Sequence, residues 1–170
     1  MDIVNKGTYA YPTMFHKLAD ELALLRSELS KNYYTSDTET YRGDREHEIS
    51  KRGILAELIA RHYLDERNTK YKAAPIVWIK PLPEPDIKID ITTFDVKGMK
   101  KDNIFMINHK AHNNFDKKPN WYWFVYPRLD YTATHYIVNS RSVDNWEIKE
   151  STYTKAVSYT HLTLPTPPYV

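Results

Sequence analysis

Pro85-Asp86-Ile87-Lys88-Ile89-Asp90-Ile91-Thr92-Thr93-Phe94-Asp95-Val96-Lys97 is the stretch whose reading decides the fold. Ile87, Ile89 and Ile91, then Phe94 and Val96, alternate with polar residues, as two half-buried strands do when they meet across a short turn. Successive side chains of a strand point to opposite faces. With the turn at Asp90-Ile91, Asp86 lies opposite Asp95 and Ile87 opposite Phe94, so two carboxylates meet on one face. A turn at Thr92-Thr93 would instead set Asp90 against Asp95 and Lys88 against Lys97. We favour the first register because Asp tolerates turn geometry better than two β-branched threonines. Asp90 then has a turn role and stands as the alternative to Asp86.

Like charges directly across a strand pair destabilise it, so something positive belongs between Asp86 and Asp95. A hard divalent cation such as Mg2+ takes one or two carboxylates together with waters and substrate phosphate oxygens. Lys97 shares the face of Asp95. An ammonium there orients a water and helps stabilise its deprotonated form for attack on phosphorus. The competing reading of these acids is a solvated hairpin face.

Pro85-Asp86 followed by Asp95-Val96-Lys97 resembles the PD-(D/E)xK motif of the restriction-endonuclease-like nucleases. The resemblance implies an α/β fold with an αβββαβ core, a central mixed sheet flanked by helices, and here an extra N-terminal helix. It also implies a metal held by Asp86, Asp95 and the Val96 carbonyl, with Mg2+ as the ion and Mn2+ as its substitute. Many members place a Glu on the helix before the hairpin, and Glu57 in Arg52-Gly53-Ile54-Leu55-Ala56-Glu57 fits that place. The match runs from about Ile49 to Met99, in the order helix with Glu, strand, Pro-Asp strand, Asp-x-Lys strand. The activity so implied is metal-dependent hydrolysis of DNA phosphodiesters, as in restriction, junction-resolving and phage-type repair or defence nucleases. DNA is then the partner, and a homodimer is expected from the many such enzymes that cut both strands. A non-catalytic nucleic-acid-binding or assembly protein with this fold, in which Asp86 and Asp95 serve structure, is the alternative.

A chain of 170 residues suits one domain able to bury a core without disulfides, which we place at 1–155. The net charge of +2 is weak evidence for a polyanion partner, although acidic metal ligands lower the sum. There is no cysteine, which excludes zinc-finger and Cys-nucleophile sites. No basic-then-apolar leader and no apolar run of spanning length is present, so the expectation is a cytoplasmic protein of a bacterial or phage-infected cell, without a membrane.

Met1–Thr13 shows no strong period and reads as a lead into the fold. Phe15, Leu18, Ala19, Leu22, Leu25 and Leu29 recur at helical steps and predict an amphipathic helix. A polar connection over 30–43 carries Tyr33, Tyr34 and Tyr41, read as surface or edge tyrosines or as base-stacking groups. A second helix is predicted from about Asp44 to Leu64, with Ile54, Leu55, Leu58 and His62 on its apolar stripe. Glu57 falls on the rim of that stripe, able to reach a shielded site or to pair with Arg61 at the surface. Gly53 costs about 1 kcal/mol inside a helix relative to Ala, which close packing or an approaching phosphate would offset.

Residues 65–74 read as a loop and Ile76–Ile79 as a short buried strand, before Pro81, Pro83 and Pro85 stiffen the approach to the hairpin. Lys100 and Lys101, directly past the proposed ligands, read as phosphate contacts, as does Lys110. Ile104–Ile107 predicts a strand. His109 and His112 line a substrate groove or the surface, and a His-based metal site lacks the spacing it needs. Trp121–Tyr126 is continuously apolar and reads as a central strand buried on both faces, Tyr136–Val138 as one more strand, and Val143–Ile148 as a short strand or helix. The segment 156–170 is uncharged and rich in Thr and Pro, resembles translated read-through, and is set apart from the domain.

Overall fold

The computed structural model describes residues 3–31, 45–80, 82–114, 118–149 and 157–161. In chain order the elements are β1 Ile3–Ala10, α1 Phe15–Ser30, α2 Glu46–Asp65, β2 Lys72–Ala73, β3 Ile87–Ile89, β4 Thr92–Gly98, β5 Ile104–Asn108, α3 His109–His112, β6 Trp121–Pro127, β7 Thr132–Asn139, β8 Glu147–Lys149 and β9 Val157–His161. A 3-10 segment, Ser140–Asn145, joins β7 to β8. The architecture is α/β: a six-stranded mixed sheet in the order β1-β7-β6-β4-β3-β2, and a three-stranded sheet in the order β5-β9-β8. β4 and β6 are the parallel pair, and every other pair is antiparallel.

The continuous apolar run of β6 explains its central place. Trp123 and Val125 turn to one face, with Ile54, Ile59 and Ala60 of α2, Ala19 and Ala23 of α1, and Val96 of β4. Tyr122 and Phe124 turn to the other, with Phe105 and Ile107 of β5 and Tyr136 and Val138 of β7. The helices thus cover one face of the large sheet and the small sheet covers the other. Ile54, Ile59, Ile87, Val125 and Val138 are fully shielded, each contributing about 1.5–3 kcal/mol of hydrophobic stabilisation. Among the described residues no helix is long and apolar enough to cross a membrane.

The hairpin takes the first of the two registers: Ile87 pairs with Phe94, Lys88 with Thr93 and Ile89 with Thr92. Asp90 makes the turn at φ 51°, the left-handed region that Asp tolerates. Several expectations are corrected. Residues 3–10 form a strand, not a lead-in; it is an edge strand, largely exposed and bulged between Asn5 and Gly7, so burial writes no alternating pattern into it. Ile76–Ile79 is bent chain, not a buried strand, and Ile79 is 69% exposed; Pro75 precedes it, and Arg26 takes the Ile76 carbonyl that a ladder would use. Lys72–Ala73, inside the expected loop, pairs instead with β3. Leu25 and Leu29 of the predicted α1 stripe are exposed, because that helix packs on α2 through Ala19 and Ala23. Of the segment set apart from the domain, Val157–His161 pairs with β5 and β8. Tyr33, Tyr34 and Tyr41, Pro81, and the rest of 156–170 lie outside the described residues.

Candidate active site

The β3–β4 ladder ends at Ile87 and Phe94, and the chain before β3 diverges from β4. Asp86 stands at that divergence. Its Oδ2 accepts the Val96 N–H at 2.7 Å, and its own carbonyl accepts the Ala74 N–H at 3.2 Å. Asp95, opposite in register, receives the Lys97 ammonium, with Nζ 2.8 Å from Oδ2. On the other side of β4 the parallel ladder sets Asp95 beside Tyr122 and Lys97 beside Phe124. Gly98 draws α2 close, since a Cβ there would lie 2.7 Å from the Arg52 carbonyl oxygen. That contact brings Glu57, about a turn and a half along α2, to the same cavity as Asp86, Asp95 and Lys97. Asp90 sits exposed in the turn at the far end of the hairpin, so the alternative register is not adopted.

The site is electrostatically strained. Burial, then the charges of Asp95 and Glu57, push the Asp86 carboxyl well above the usual carboxylate range. Burial works in the same direction on Asp95, but the Lys97 ammonium and a hydrogen bond with Asp86 outweigh it and hold Asp95 below its ordinary value. The two carboxyls are thus pushed apart, Asp86 towards its protonated form and Asp95 towards its ionised one. Burial also pushes Glu57 up to about 7, against the pull of Arg26 and Arg61. Glu57 and Arg61 are 3.6 Å apart with 13% and 21% of their side chains exposed, an interior pair where a surface one was the competing expectation. Arg61 also donates to the Ala74 carbonyl.

Two cavities meet at the acid pair, and Leu82, Glu84, Asp86, Asp95 and Lys97 line both. The one on the α2 side, about 350 Å³, is walled by Arg26, Arg52, Gly53 and Trp78. The other, about 270 Å³, is walled by Thr93, Asn108, His112, Lys118 and Tyr122. Gly53 has nothing within 4 Å of where a Cβ would stand, so the close packing considered for it belongs to Gly98 instead. His112 lines the smaller cavity but is only 1% exposed. Its Nδ1 meets the Tyr122 hydroxyl at 2.7 Å and its Nε2 meets Asp144 Oδ1 at 2.6 Å, where Lys118 also bonds at 3.1 Å. Both ring nitrogens are therefore engaged, and His109 contacts Asn113.

Lys100 is exposed and lines a third, shallower cavity, while Lys101 and Lys110 are exposed and line none of these. Arg26, Arg52, Glu84, Tyr122 and Lys118 escaped the sequence reading. Only Glu84, two residues before Asp86, carried a local signal; the others come from segments that nothing in the primary structure ties to the hairpin. Among the described residues no group of three or more His, Asp or Glu gathers closely enough to hold a metal by itself. The tight donor set is accordingly the Asp86–Asp95 pair, with Glu57 across the cavity. Comparisons with protein-family models, with curated proteins and with solved structures find no match for this chain.

Proposed function

We propose that this chain is a divalent-metal-dependent nuclease of the restriction-endonuclease-like kind, hydrolysing DNA phosphodiesters at Asp86, Asp95 and Lys97. The observation that carries the reading is the Asp86–Asp95 carboxylate pair at the end of a strand ladder, lining a cavity, with an ammonium 2.8 Å from one of its oxygens. Buried like charges cost stability, and groups so perturbed in a cleft concentrate at functional sites. The donor set suits a hard cation: two carboxylates side by side, all-oxygen chemistry, and room in both cavities for phosphate and water.

Asp86 and Asp95 would hold Mg2+ or Mn2+ with the Val96 carbonyl, and Glu57 would act from the α2 side. When bound, such an ion neutralises charge on the phosphodiester and acidifies the attacking water. Lys97, 2.8 Å from Asp95, would orient the attacking water and favour its deprotonated form. The Val96 N–H fixes the Asp86 carboxyl, and Arg61 fixes Glu57. DNA as the polymer and a homodimer as the assembly belong to this same reading.

The test is cleavage of supercoiled plasmid, linear duplex, a four-way junction and single-stranded circular DNA with Mg2+, Mn2+ or EDTA. Wild type is compared with Asp95→Asn and Lys97→Ala, each checked for folding by circular dichroism. Metal-dependent cutting that drops roughly 10²–10⁴-fold in both folded variants is expected. No cutting of any substrate, with no shift in melting temperature on adding Mn2+, overturns the proposal.

A further inference from the structure

We propose that the acid pair lies along a groove built for one unpaired nucleic-acid strand, so that the substrate class is single-stranded or frayed nucleic acid and not an intact duplex. This rests on the nuclease reading above. Three cavities follow one another along the acid pair and share lining residues. Asp86, Asp95 and Lys97 are common to the two cavities at the site, and Arg52 is common to the α2-side cavity and the third one, about 560 Å³, which Lys100, Tyr126, Arg128 and Leu129 line. The site is partly shielded, with 31% of the Asp95 and 35% of the Lys97 side chain exposed. Each cavity is of small-ligand size. A flexible strand can be laid into such a groove nucleotide by nucleotide, whereas the stiff backbone of a duplex meets its rim.

The lining matches the chemistry of an unpaired strand. Binders of single strands combine cations for the backbone with flat groups on which bases stack. An aromatic–arginine stack stands in each of the two larger cavities: Arg26 over Trp78 at 5.0 Å, and Arg128 over Tyr126 at 5.4 Å. Arg52 lies between them. Three cations along the path are steadied by a carboxylate, Arg52 by Glu48 at 3.1 Å, Arg128 by Asp102 at 3.2 Å and Lys118 by Asp144 at 3.1 Å. Glu84 and Asp130 also face the groove. The path is therefore no continuous basic stripe of the sort that grips duplex backbone unselectively, and stacking must carry much of the affinity. At its outer end, in the β6–β7 turn, the apolar side chain of Leu129 is 100% exposed among the described residues.

Binding is measured by fluorescence anisotropy of a labelled 12-nucleotide DNA strand, its RNA counterpart, a DNA trimer, and a blunt duplex of the same DNA sequence, all in Ca2+. The 12-mer strand should bind about tenfold or more tightly than the duplex. Trp78→Ala and Tyr126→Ala should each weaken it roughly fivefold or more, the scale of one lost stack. Leu129→Asp, a change at a fully exposed side chain that leaves folding intact, should weaken the 12-mer but not the trimer. The DNA and RNA arms decide the sugar. Duplex binding as tight as strand binding, or 12-mer affinity indifferent to both Tyr126→Ala and Leu129→Asp, overturns the inference. Strand-selective binding without any cleavage would remove the catalytic reading and keep the groove; blunt duplex cut as fast as strand would do the reverse.

Discussion

β4 and β6 run side by side in one register, Asp95 against Tyr122 and Lys97 against Phe124, yet they do opposite things with those positions. β6 has a partner strand on each side over Trp121–Val125, β4 on one and β7 on the other. Its backbone is consumed by ladders, its side chains are buried on both faces, and it serves packing. β4 keeps β3 only as far as Phe94; beyond that point the Val96 N–H turns to the Asp86 carboxylate and the side chains at 95 and 97 are charged. Where a ladder ends, backbone groups and charges meet solvent in a recess, and burial there raises Asp86 and Glu57 at a cost to the fold. One strand is tuned for stability and its neighbour against it.

The contrast can be broken from either side. Asp86→Asn keeps an oxygen for the Val96 N–H and mimics the protonated acid, so cleavage should fall roughly 10²–10⁴-fold while the melting temperature stays level or rises. A fall in both would show that Asp86 serves the fold. Phe124→Ala, beside Lys97 in the adjoining strand, should cost about 3–5 kcal/mol in urea unfolding.

Acid separates two regions of the molecule. Burial holds His135 down to about 4, with Nδ1 accepting the Trp123 indole N–H at 2.9 Å and Nε2 without a hydrogen-bond partner among the described residues. The fold favours its neutral form, so that stability is fully present above pH 6.5 and is lost as pH falls through 6.5 towards 4, on the order of 3 kcal/mol in all. Glu57 works the other way: held up to about 7, it penalises the fold above that pH and relaxes as pH falls towards 4.5. Wild type should therefore show a shallow pH profile of stability across this window, and Glu57→Gln a steeper loss on acidification. Equal slopes in the two proteins would mean that Glu57 is not strained. The smallest effect belongs to Gly53→Ala, expected to stabilise by about 0.5–1 kcal/mol because a Cβ there meets open space.

How far the sequence could be read follows from the range of the interactions concerned. The hairpin register was legible because alternation and the turn preference of Asp90 act within a dozen residues, and they placed Asp86 opposite Asp95 before any tertiary contact was known. α2 and β6 were legible for the same reason, one by its helical period and the other by an unbroken aromatic run. β1 escaped because an exposed, bulged edge strand owes its conformation to β7, more than a hundred residues away, and not to its own pattern. The bent chain at Ile76–Ile79 was misread because apolar residues next to prolines look like a strand until Arg26 claims the backbone.

By itself, then, the sequence determined the hairpin that carries Asp86, Asp95 and Lys97, the helix that carries Glu57, and the strand that anchors them, since each is set by local period and turn chemistry. Only the tertiary structure decided that Glu57 is interior and that Arg26 and Arg52 on one side, His112 and Lys118 on the other, wall the two cavities that Asp86, Asp95 and Lys97 line together. Those facts depend on long-range packing of α1 on α2, of Gly98 on Arg52, and of the small sheet on β6, which no local pattern encodes.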